Sequence, residues 1–101
     1  MTIDLKHNAI AGTTESSDIQ IMIEPTQIPG IQIDLDSSVQ FQFGKQIKHV
    51  MQETLTKLGI DQAHIKATDQ GALDCTVKAR TLTAIFRAAD IDEDYDWQVI
   101  D

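Results

Sequence analysis

A single cysteine, Cys75, in 101 residues leaves the chain without an internal disulfide and without a Cys-rich zinc site. Positive charge is scarce as well: eight Lys and Arg stand against sixteen Asp and Glu, a net charge of −8. That balance argues against nucleic acid, whose phosphates select basic proteins, and favours solubility and docking onto a basic partner. No apolar run approaches the roughly 20 residues that a membrane-spanning helix needs. The opening Met1-Thr2-Ile3-Asp4-Leu5-Lys6 lacks the charged and apolar regions of a signal peptide, so the expected compartment is the cytoplasm. A glycine-rich phosphate loop of the P-loop or dinucleotide type is missing. Internal repeats and low-complexity segments are missing too.

What is present reads as one soluble domain. Hydrophobic residues make up 42% and charged residues 24%, ordinary values for a globular chain, and the length suits a single core. Residues 1–101 are expected to form one domain, with 1–8 a flexible arm and 90–101 an acidic tail. In that tail Tyr95 and Trp97 either anchor a partner or fold back onto the core, and the acidic run around them otherwise reads as solvated surface.

Three segments alternate strictly between apolar and polar residues: Ile19, Ile21 and Ile23; Ile31, Ile33 and Leu35; and Leu73, Cys75, Val77 and Ala79. Period-two patterning predicts strands with one buried face. Two weaker strands, 9–14 and 64–68, fit around them. Residues 9–24 then form a hairpin with its tip at Glu15-Ser16-Ser17-Asp18, and residues 64–79 form a second, turning at Asp69-Gln70-Gly71 with positive φ at the glycine. Pro25 and Pro29-Gly30 mark the connection between the second and third strands.

Val39, Phe43, Ile47, Val50, Met51, Leu55 and Leu58 recur at three- and four-residue spacing and predict a long amphipathic helix. Ser37 with Gln40 fits a capping box at its start, and Gly59 fits the left-handed residue that ends it. A second helix is expected over about 80–89, with Leu82, Ile85, Phe86 and Ala89 on its apolar face. The fold class is therefore α+β: a small, mainly antiparallel sheet in β-β-β-α-β-β-α order, with two helices packed on one face.

Catalytic groups are hard to assemble from these residues. His7, His49 and His64 fall on the N-terminal arm, the long helix and a strand end, and none stands at ligand spacing from another. Cys75 on the apolar side of a strand reads as a small buried hydrophobe rather than a nucleophile. The many carboxylates lack an evident pocket to shift one pKa for acid–base work. The chain is expected not to be an enzyme on its own. Ser16, by contrast, sits in a polar turn with an accessible hydroxyl and no base beside it, an arrangement suited to being modified rather than to attacking.

Three segments together resemble a known family. Ala11-Gly12-Thr13-Thr14-Glu15-Ser16-Ser17-Asp18 resembles the serine turn of citrate lyase acyl carrier proteins, the gamma subunits. So do Ser37-Ser38-Val39 with Phe43-Gly44, and, most distinctively, Asp69-Gln70-Gly71-Ala72-Leu73-Asp74-Cys75 running on to Ala79-Arg80. The segments span nearly the whole chain in the family's order. The resemblance implies a covalently held CoA-like group, 2'-(5''-triphosphoribosyl)-3'-dephospho-CoA, attached by a phosphodiester to Ser16, making the chain a phosphoprotein of citrate fermentation. It further implies an acyl thioester on that group. The alpha subunit would exchange acetyl for citryl, and the beta subunit would cleave the citryl form to oxaloacetate and the acetyl form. A prosthetic-group transferase and an acetyl-activating ligase complete the implied partners. The family commonly has glycine after the modified serine, where this chain has Ser17, a second nearby hydroxyl.

Glu15 and Asp18 flank the serine, and two readings of them stand. Their charges could repel the phosphates of the arm, or Asp18 could cap the turn. Three rivals also remain. Asp36-Ser37-Ser38-Val39 looks superficially like the phosphopantetheine site of ordinary acyl carrier proteins, although helix capping accounts for Ser37. The acyl carrier subunit of malonate decarboxylase holds the same kind of group on a serine. A small acidic adaptor that carries nothing would give the same composition.

Overall fold

The computed structural model describes residues 5–37 and 40–90. Its elements run β-β-β-α-β-α: β1 (Ala9–Ala11), β2 (Ile19–Glu24), β3 (Gly30–Ser37), α1 (Gln40–Lys57), β4 (Gln62–Asp69) and α2 (Asp74–Ala88). The four strands form one sheet in the order β1-β2-β4-β3. β1 and β4 each pair antiparallel with β2, and β3 pairs parallel with β4 across the α1 crossover. The expected α+β class holds, with one strand fewer than the sequence suggests.

Alternation along the strands decides which face is covered. Ile19, Ile21 and Ile23 of β2 face the same side as Ala63, Ile65 and Ala67 of β4, and all are buried. Register aligns Ile33 with Ile65 and Leu35 with Ala67. Ile47, Met51 and Leu55 from α1, Leu58 just beyond its end, and Val77, Leu82, Ile85 and Phe86 from α2 close over this face. α2 lies across β1 and β2, α1 across β3, and the helices touch each other. Both helices therefore cover one face, as the pattern predicts. The other face carries Gln20, Glu24, Gln32, Asp34, Asp36, His64 and Lys66. No described helix is long and apolar enough to cross a membrane.

The first hairpin stands as expected, although its leading strand ends at Ala11 rather than at residue 14. The second does not form. Residues 74–79, read from their alternation as a strand, open α2. Of the four alternating residues only Val77 is buried, while Leu73, Cys75 and Ala79 are exposed. The face that packs is Val77, Thr81, Leu82, Ala84, Ile85 and Ala88, and its three- and four-residue spacing runs unbroken through the supposed strand end at residue 80. Cys75 is thus an exposed free thiol, not a core residue.

α1 keeps most of its expected stripe, but Phe43 stands 52% exposed. Gly59 ends the helix at a φ of 76°, as expected. Ser37, expected to cap α1, is the last residue of β3, three positions before the helix begins at Gln40, and its hydroxyl donates to Asp69 at 2.7 Å. Residues 38–39 and the stretch of the acidic tail at 91–101 lie outside the described residues. At the other end, the Lys6 and His7 N–H groups donate to the Ala88 carbonyl at 2.9 and 3.2 Å, and Leu5 packs partly against the core.

Candidate functional site

The hairpin tip is a turn closed by the Asp18 N–H donating to the Glu15 carbonyl at 3.2 Å. Ser16 is exposed at its second position, and no described residue hydrogen-bonds its hydroxyl. Ser17, at the third position, has a φ of 65°. A type II turn requires positive φ there and usually takes glycine for it. This chain makes the turn with a serine in the left-handed conformation.

Asp18 holds the turn from inside. Its Oδ2 accepts from the Thr13 N–H at 3.2 Å and from the Thr13 hydroxyl at 2.8 Å, and its Oδ1 accepts from the Ile19 N–H at 2.7 Å. Arg80 of α2 reaches across and donates through Nε at 3.1 Å and through Nη2 at 3.3 Å. The Thr13 hydrogen bonds, then Arg80, then the Ile19 amide hold the carboxyl down to about 2. Of the two readings of Asp18, capping is the one that the geometry supports. Its charge is spent within the protein, and Glu15 alone presents a carboxylate at the tip.

A second brace comes from the end of β4. The Ser17 N–H donates to the Gln70 carbonyl at 2.8 Å, and the Gln70 N–H donates to the Asp18 carbonyl at 2.9 Å. Gln70 is itself set by Asp69, whose fully buried carboxylate accepts from the Gly71 and Ala72 amides at 3.1 and 3.0 Å and from the Ser37 hydroxyl at 2.7 Å. Gly71 has the expected positive φ, 87°. Gly12, on the other flank, has a φ of 86°, and a Cβ there would sit 1.8 Å from the Ile19 carbonyl oxygen.

The three segments that carry the resemblance therefore meet at one end of the sheet. The loop at 69–72 and Arg80 support the Ser16 turn, and Ser37 joins through Asp69. The roles of Arg80 and Asp69 escape a reading by spacing, since each acts on a residue distant in sequence. Their one signal is their place inside the family's most distinctive segment. Ser37, the rival attachment point, is half-buried and already donates its hydroxyl.

The histidines stand apart from this site. His7 pairs with Asp90, His49 with Glu53, and His64 lies between Glu24 and Asp34 at 2.7 and 2.8 Å. No group of three or more His, Cys, Asp or Glu is placed to hold a metal among the described residues.

A shallow apolar groove of about 450 Å³ opens beside the 69–72 loop, lined by Phe43, Ile47, Gly71, Ala72 and Leu73. Gln46 and Asp74 join it to a second groove of about 690 Å³ between the helices, where His49, Glu53, Cys75 and Lys78 face one another.

A family model described as ACP, malonate decarboxylase delta subunit (MdcD), matches residues 6–88. Citrate lyase acyl carrier protein of Streptococcus mutans serotype c is 52% identical over 98% of this chain and 96% of its own length. Its counterpart in Lacticaseibacillus casei is 52% identical over 97% and 95%. Among solved structures, a Pseudomonas malonate decarboxylase hetero-tetramer in complex with malonate contains a chain that superposes with a TM-score of 0.68. That chain is 20% identical, and the match covers 86% of this chain and 89% of that one. A homoserine kinase from Cytophaga hutchinsonii superposes with a TM-score of 0.60 at 12% identity over 93% of this chain and 38% of its own. These last two likenesses are of fold alone.

Proposed function

The chain belongs to the family of citrate lyase acyl carrier proteins, and on that premise we propose that Ser16 is the covalent anchor of its prosthetic group. One observation carries the reading. Ser16 offers an exposed, unengaged hydroxyl on a turn held by the Asp18–Arg80 pair and by the Ser17–Gln70 backbone bonds. A transferase that attaches a phosphodiester needs access to the oxygen and a constant shape to recognise, and a braced hairpin tip supplies both.

The residues fit the group that the family implies, 2'-(5''-triphosphoribosyl)-3'-dephospho-CoA. Nothing crowds the Ser16 oxygen, and the nearest aspartate has its charge taken up by Arg80. When bound, the group supplies a thiol on which an acyl unit is held as a thioester. The chain's own residues do the rest: the turn fixes where the arm leaves the surface, and the sheet beneath keeps that point rigid. Tethering makes each visit to a partner's active site intramolecular, with an effective concentration of about millimolar for a flexible linker. In this reading the chain is a non-catalytic, cytoplasmic subunit. It serves the acyl-transferring alpha and citryl-cleaving beta subunits of citrate lyase, and is loaded by a separate transferase and ligase.

Intact mass of protein purified from its native host, with peptide mapping over residues 12–20, tests the assignment. The expected result is one added group on Ser16, lost in Ser16→Ala and kept in Ser17→Ala. Unmodified Ser16 in a fully active complex would overturn it and favour a carrier-free adaptor. A malonate decarboxylase carrier is the second reading, favoured by the family model's description. Relatives about 50% identical that are named for citrate lyase weigh against it. The subunits that co-purify decide between the two.

A further inference from the structure

We propose that the apolar groove beside the serine turn is a resting site for the nucleotide part of the group on Ser16, with its base against Phe43 and Leu73. The proposal deepens the carrier reading and rests on it. Phe43 is 52% and Leu73 71% exposed, and both line one groove. Apolar side chains left in water together mark a binding surface, and an aromatic ring is a stacking partner for a nucleobase.

Position names the occupant. Gly71 lines the groove and directly follows Gln70, whose carbonyl holds the Ser17 amide at 2.8 Å. Consecutive Cα atoms lie ~3.8 Å apart, so the groove opens within a few residue lengths of the anchor. A tethered ligand reaches it before any free molecule of similar affinity does.

Charge agrees. The two helices carry six of the eight basic residues (Lys45, Lys48, Lys57, Lys78, Arg80 and Arg87) and only two of the sixteen acidic ones, Glu53 and Asp74. The two helices thus sum to +4, whereas the described residues outside them hold eight acids against Lys6 and Lys66, a sum of −6. For an anionic arm the helix side is therefore the less repulsive of the two layers. The acids nearest its path are engaged. Asp18 is paired with Arg80 and Glu53 with Lys57 at 3.1 Å, Asp69 is buried under its own hydrogen bonds, and Asp74 accepts from Gln46 at 2.9 Å, which orients its carboxylate without removing its charge.

The test compares amide spectra of the loaded and bare carriers by NMR, with the mass of each sample recorded. Docking predicts shifts at Phe43, Gln46, Ile47 and residues 71–75, and cross-relaxation between base protons and the Phe43 ring. It also predicts narrower base-proton lines in Phe43→Ser combined with Leu73→Ser, two exposed positions whose replacement spares the core. Cys75 in the adjoining groove should alkylate several-fold more slowly in the loaded wild-type protein, read by peptide mapping so that the arm's own thiol does not interfere. Shifts confined to residues 14–18 with unchanged Cys75 reactivity, in protein that carries the added mass, overturn the docking and leave the carrier reading standing. Shifts that appear only when a partner subunit is added assign the groove to that protein and also overturn it. Native protein without the added mass overturns both.

Discussion

At Ser17 the left-handed backbone costs a non-glycine residue about 1–2 kcal/mol, and the turn meets that cost with hydrogen bonds from Thr13, Arg80 and Gln70. Gly12 leaves no such choice, because a Cβ would meet the Ile19 carbonyl oxygen at 1.8 Å while φ stays at 86°. Gly12→Ala should cost more than the left-handed penalty alone and lower the urea midpoint by roughly 1 M or more, given slopes of about 1–3 kcal/mol/M. It should also slow attachment at Ser16, since the turn shifts with residue 12. A midpoint within error of wild type would show that the hairpin has slack there.

His64 makes a second prediction at this scale. Both its ring nitrogens face carboxylate oxygens, of Glu24 at 2.7 Å and Asp34 at 2.8 Å, and a carboxylate only accepts, so both nitrogens must carry protons. The cationic ring then ties β2, β4 and β3 together. Hydrogen bonding to Asp34 first, and then to Glu24, raises its pKa above 6.5 against the opposing effect of burial. With the folded value above the unfolded one, the stabilisation is fully present below 6.5 and lost as pH rises through the raised value. His7 is raised as well, by the Asn8 carbonyl and then by Asp90, so the wild type must be compared with His64→Gln. The stability difference between the two should shrink from pH 6 to pH 9 in denaturant titrations; a constant difference would mean that the clamp is not ionic.

At the scale of elements, most of the fold was legible. Strict alternation in β2 and β3 announced strands because each lays one face on the core, and the α1 stripe announced a helix for the same reason. Residues 73–79 misled because four alternating residues are too few to separate a period of 2 from one of 3.6. The chain from Asp74 to Ala88 holds no Gly or Pro to end a strand before a helix begins, and that is the signal which favours one continuous helix. The site was legible only in part. Ser16 was visible as an exposed turn hydroxyl, whereas the brace from Arg80 spans 62 residues and no local pattern encodes it. The correction at Cys75 is directly measurable. A thiol on the exposed side of α2 should react stoichiometrically with Ellman's reagent in the native protein within minutes. A core thiol would react only on addition of denaturant.

At the scale of the molecule, charge is divided between layers. The two helices sum to a positive charge, and the sheet face turned away from them carries Glu24, Asp34 and Asp36 against Lys66 and His64 among the described residues. The division bears on β3, an eight-residue strand at the sheet's edge. Among the described residues its outer backbone edge is unpaired, a template for pairing with another chain, and charge on the solvent side is a common defence. Ile31, Ile33 and Leu35 already half-bury the other face, so only Gln32, Asp34 and Asp36 keep the strand from being apolar on both sides. Replacing Gln32 and Asp36 together by Val leaves the Asp34–His64 pair in place and removes most of that defence. The variant should associate with rising concentration in light scattering and elute earlier than the unsubstituted protein. Lys at the same two positions should restore the original elution, because a charge of either sign protects an edge. If the Val variant scatters like the unsubstituted protein, the edge is protected by strand twist or by its neighbours rather than by charge.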